Sequence, residues 1–71
     1  MSENDRDWLV NNFPNYIGRT LRGDVLHAYL EAERIILNRE KHRVVSCSCQ
    51  LRDIATTINE LYSKWQRENN T

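Results

Sequence analysis

Leu51, Ile54, Ile58, Leu61 and Trp65 recur at spacings of 3, 4, 3 and 4. Apolar residues at that spacing, with polar residues between them, form the a/d seam of an amphipathic helix. Val44 and Cys47 extend the same register upstream, and Ser46 or Ser48 offers an N-cap. Arg67 falls in the last turn, where a cation suits the helix dipole. The pattern predicts a helix over about 46–68, with 69–71 as a frayed tail. A second stripe is made by Val25, Tyr29, Ala32 and Ile36, spaced 4, 3 and 4. Leu26, Leu30 and Leu37 flank it on one side, and Ala28 and Ile35 on the other. So broad an apolar face marks the central helix, predicted over 21–38 with Asp24 as its cap. Nearer the N-terminus, Trp8, Leu9 and Phe13 share one face of a short helix over 5–13. Asn4 or Asp5 would cap it, and Pro14 would end it near Phe13. With Tyr16 and Ile17, these three residues are expected to join the core.

The helix breakers are Pro14, Gly18 and Gly23, and none occurs in the 48 residues that follow Gly23. A β-fold of that length would need turns, so the class is all-α. The two long stripes do not belong to one straight helix. Eight residues separate Ile36 from Val44, which at ~100° per residue misses whole turns by roughly 80°. A break between Asn38 and Ser46 lets both stripes face one core. The expected fold is a single domain over 1–71, with a short N-terminal helix packed on an antiparallel two-helix hairpin. The competing arrangement is one continuous helix that hides its twisting stripe in a dimer, and the a/d seam itself invites a second copy. The stretch Arg43–Cys49 alternates like a strand but has no partner strand within one chain.

At 71 residues and 8.5 kDa the chain has room for one domain and little room for a catalytic cleft. The expectation is a protein that is not an enzyme and carries no cofactor. Apolar residues at 39%, against 28% charged and zero net charge, exclude a disordered chain. No apolar run approaches the ~18 residues of a membrane span. Met1-Ser2-Glu3-Asn4-Asp5 has neither the basic start nor the apolar run of a signal peptide, which points to the cytoplasm. In that setting Asn69-Asn70-Thr71 is a chance glycosylation match, and Arg22-Gly23-Asp24 reads as a helix start rather than an adhesive tripeptide.

Three groups of residues carry candidate chemistry. Cys47 and Cys49 form a C-x-C pair that suits thiolate-loving metals and combines with His42, and also with His27. Packing of Cys47 in the seam is the plainer explanation, so no metal site is expected. A thiol or metal sensor using His42, Cys47 and Cys49 is the second alternative. Arg39, Lys41 and Arg43 make the densest basic cluster, and Arg34 and Arg52 come near it if the hairpin forms. Together these five would serve a small DNA- or RNA-binding regulator, the first alternative. The charge asymmetry behind it is mild, because residues 1–18 carry −2 and 19–43 carry +2. Trp8 and Trp65 are large residues for so small a chain, and Trp is enriched where proteins bind one another. The expected function is a small intracellular regulator or adaptor that binds another protein, or a second copy of itself, through helix faces. Trp8, Tyr16, Trp65 and Arg34 are the expected contacts.

Overall fold

Ser2 opens the first helix. Its backbone is extended (φ −75°, ψ 161°), and its Oγ accepts a hydrogen bond from the Asp5 N–H at 3.1 Å. The computed structural model describes residues 2–45 and 50–69. Helix α1 runs Glu3–Asn11, so the cap is Ser2 and not Asn4 or Asp5. Asn4 and Asp5 lie in the first turn instead, and Asp5 supplies the N–H that Ser2 caps. Pro14 ends the helix as expected, and Phe13–Asn15 forms a single 3-10 turn. Helix α2 runs Asp24–Ile36. Its cap position is Gly23, at φ 56° and ψ −126°, while Asp24 sits in the first turn. Gly is the residue that enters such a backbone without strain. At the other end, Asn38 takes the left-handed conformation (φ 55°). The Arg39 N–H donates to Arg34 C=O at 2.9 Å and the Asn38 N–H to Ile35 C=O at 3.2 Å. This pair of bonds is the Schellman stop, for which Asn is the usual substitute for Gly. Helix α3 runs Leu51–Asn69. The expected start and caps at Ser46 and Ser48 lie outside the described residues.

Three helices without a strand among the described residues agree with the all-α expectation. The direction of the last two helices does not agree with a hairpin. Leu21, just ahead of α2, lines a groove with Leu51 and Ala55 at the start of α3. In mid-helix, Tyr29 donates its hydroxyl proton to Asn59 Oδ1 at 3.2 Å. At the far end Arg34 reaches Asp5, while the neighbouring Ser2, Glu3 and Arg6 share a groove with Trp65 and Asn69. Helices α2 and α3 therefore run the same way, and α1 runs against both. The chain after Asn38 turns back along α2. Arg43 meets Glu33, and His42 comes to Glu31 and His27. The Schellman stop is what reverses it.

The core holds Leu9, Phe13, Ala28, Tyr29, Leu30, Ala32, Ile35, Ile54, Ile58 and Tyr62. Phe13 sits at its centre, edge-on to Tyr29 (5.2 Å, 74°) and to Tyr62 (5.0 Å, 82°). Edge-to-face packing of this kind adds to area burial. Several expected core positions turn outward. Ile17 and Leu37 are about two-fifths exposed and Val44 is 86% exposed. Val44 lies on the returning segment, outside any helix, so the seam register does not govern it. Tyr62 takes the buried place next to Ile54 and Ile58, at steps of four, while Leu51, Leu61 and Trp65 are half-buried. No described helix is long and apolar enough to cross a membrane.

Candidate partner-binding cleft

The returning segment is held by a buried carboxylate. Glu33 is 1% exposed on the inner side of α2. Its two oxygens accept from Arg43, Nε at 2.9 Å and Nη2 at 2.6 Å, and Arg39 Nη1 adds a third contact at 3.4 Å. A buried carboxylate needs such partners, and a two-pronged guanidinium supplies them with fixed geometry. Arg34 forms a second tie. It donates to Glu31, to Asp5 at 3.4 Å and to the Arg39 carbonyl at 3.3 Å. The Glu31 hydrogen bond raises the Arg34 pKa above its ordinary value, against a smaller opposing effect of burial.

With the segment pinned there, a cleft of about 270 Å³ opens between α1, α2 and His42. Trp8 and Tyr16, both half-buried, contribute aromatic faces. Asp24, His27, Ala28 and Glu31 line it from α2. Their spacing of 3, 1 and 3 places all four on one helix face. His42 of the returning segment lines it as well, with Nε2 3.3 Å from Glu31 Oε2 and its ring 6.5 Å from that of His27. Among the described residues, the Tyr16 phenol is the one hydroxyl that lines the cleft, and no thiol does. The cleft offers ring faces, carboxylates and imidazoles, which is a lining suited to receiving a side chain.

Comparison with protein-family models, with curated proteins and with solved structures finds no match.

The residues singled out from the sequence fall into separate places. Trp8 and Tyr16 come together in this cleft. Trp65 does not join them. It stacks on Tyr62 at 6.0 Å and lines a groove of about 480 Å³ where α1 begins and α3 ends. Arg34 spans α1 and α2 as an ion-paired tie. Of the basic residues, Arg39 and Arg43 converge on Glu33, Lys41 is exposed between them, and Arg52 lies at the other end of α2 beside Leu21. The five do not gather on one patch. His42 faces Glu31 and His27, while Cys47 and Cys49 lie outside the described residues. Among the described residues no group of three His, Cys, Asp or Glu side chains is arranged to hold a metal ion. Sequence reading missed Asp24, His27 and Glu31 as one group. Their common helix face was a legible signal, but the packing of Trp8 and His42 beside them depends on contacts distant in sequence.

Proposed function

We propose that the protein is a small adaptor or regulator that works by binding another protein, and that the Trp8–Tyr16 cleft receives a basic side chain of that partner. One observation carries the reading: two half-buried aromatic rings from different segments line the same cleft as the Asp24 and Glu31 carboxylates. A Lys or Arg head between ring faces and carboxylates gains from both the ring quadrupole and the opposite charge. Glu31 already accepts from Arg34 and faces His42, so Asp24 is the carboxylate with most to offer an incoming cation. The half-buried rings bring contact area at low entropy cost, the property that makes aromatic residues frequent anchors of protein interfaces.

The test is capture from lysate of the source organism, with and without nuclease, read by mass spectrometry. The baits are the wild-type chain, an Asp24→Arg/Tyr16→Ser variant and an Arg39→Ala/Lys41→Ala/Arg43→Ala variant. The reading expects a nuclease-resistant protein that the wild type retains and the first variant loses. Binding of the purified partner should weaken about tenfold or more in Asp24→Arg/Tyr16→Ser. Loss of every captured protein on nuclease treatment, together with failure of the triple-Ala variant, would instead favour the nucleic-acid alternative.

A further inference from the structure

A second surface lies away from this cleft. The loop before α2 and the first turns of α3 enclose a groove of about 320 Å³, lined by Arg19, Thr20, Leu21, Leu51, Arg52 and Ala55. Leu21, Leu51 and Ala55 are half-buried and form an apolar base. Arg19 and Arg52 are exposed at its edge, and among the described residues no carboxylate lines it. These two arginines differ from Arg34, Arg39 and Arg43, each of which is paired with Asp or Glu. Among the described residues neither Arg19 nor Arg52 forms a salt bridge. In a chain of zero net charge, this groove combines two arginines that form no salt bridge among the described residues with half-buried apolar side chains.

We propose that this groove is a docking site for an acidic segment of another protein, one that seats an apolar side chain between carboxylates. Charge complementarity selects the occupant. The apolar base gains by covering Leu21, Leu51 and Ala55, and carboxylates on either side of the inserted residue meet Arg19 and Arg52. Nucleic acid fits less well, since it draws its affinity from many phosphate contacts and gains little from an apolar floor. The site goes beyond the cleft reading above and shares no residue with it.

The probe is a random peptide library displayed on phage, selected against the immobilised full chain. The expected outcome is a consensus with Leu, Ile, Phe or Met flanked by Asp or Glu. The synthetic consensus peptide should lose at least about tenfold in affinity for an Arg19→Glu/Arg52→Glu variant. Replacing the peptide's acids by Lys should restore binding to that variant, which shows that charge at the groove is read directly. Asp24→Arg/Tyr16→Ser should bind the acidic peptide like the wild type, so failure here and failure of the cleft reading are distinguishable. Both altered arginines are exposed, and circular dichroism with thermal unfolding checks that the variant remains folded. Absence of an acidic–apolar consensus would overturn the proposal, as would a consensus indifferent to the charge reversal. Retention of single-stranded DNA or anionic vesicles through the same arginines, without peptide binding, would assign the groove to a different class of partner and overturn it as well.

Discussion

Phe13 is fully buried where the rings of Trp8, Tyr29 and Tyr62 meet it, and it has no polar atom to satisfy there. The tyrosines around it each carry a hydroxyl that must reach a partner. Tyr29 solves this by bridging the Gly18 N–H, at 3.3 Å, and Asn59. The Tyr62 hydroxyl accepts from the Gln66 side-chain amide at 3.1 Å. Burial raises the Tyr62 pKa, because the phenolate is less well solvated inside than in water. The native chain therefore keeps this proton at a pH where the unfolded chain has released it. The stability linked to Tyr62 is fully present below about pH 10, the ordinary tyrosine value, and is lost as pH rises through the folded pKa. Urea unfolding at about pH 8 and about pH 11 should show a drop in stability that shrinks in Tyr62→Phe. An equal drop in both proteins would remove Tyr62 as its source.

At the scale of elements, helix ends rest on single residues. Asn38 stops α2 in the left-handed region within a stretch of 48 residues that holds no Gly or Pro. A β-branched residue there meets steric strain, whereas Gly enters freely. Asn38→Gly should stabilise the fold by a few tenths to about 1 kcal/mol, and Asn38→Val should destabilise it by about 1–2 kcal/mol. Thermal unfolding of the two variants beside the wild type measures both. A helix that simply continued through this position would give Val little penalty and make Gly harmful. The amphipathic stripes themselves were legible in sequence. Ile54 and Ile58 are buried as the seam predicts, as are Tyr29 and Ala32. The centre of each stripe was less legible, since a helix face is broad and the neighbour chooses which part to cover. On α2 burial spreads to both flanks of the stripe, Ala28 and Ile35 on one and Leu30 on the other, while Val25 and Ile36 at the helix ends are half-buried and Leu37 is exposed.

At the scale of the molecule, same-direction packing of α2 and α3 demands a connection that retraces α2. A 13-residue helix is about 20 Å long, and an extended chain covers that distance in roughly six or seven residues. The Glu33 clasp holds this return path against the body. Arg43→Ala leaves a buried carboxylate with one guanidinium contact at 3.4 Å. It should destabilise the fold by about 2–3 kcal/mol, less than the ~3–5 kcal/mol of a fully buried pair, because the Arg43 side chain is 36% exposed. Amide exchange should accelerate first over residues 39–45, while α2 and α3 keep most of their protection. Uniform acceleration over the whole chain would mean that the clasp is inseparable from the global fold. The same path accounts for the candidate cleft, since His42 reaches it only because the segment runs back past Glu31. The molecule measures 36 × 24 × 17 Å. Its shortest axis is less than two helix diameters of ~10–12 Å, so its sites are surface clefts between elements.

The amino-acid sequence by itself determined the helical class, the number of helices, the stop at Pro14 and most of the buried apolar positions. These follow from local chemistry: apolar spacing, proline geometry and the rarity of breakers. Tertiary structure alone decided the relative direction of α2 and α3, the burial of Glu33 and the meeting of Trp8, Tyr16 and His42 in one cleft. A helix presents the same apolar stripe to a parallel or an antiparallel neighbour, so periodicity carries no information about direction. A Glu between apolar residues looks like a solvated surface group until a distant guanidinium covers it. The two arginines at the second groove were equally ordinary in sequence, and they became a pair only when the loop before α2 folded onto the start of α3.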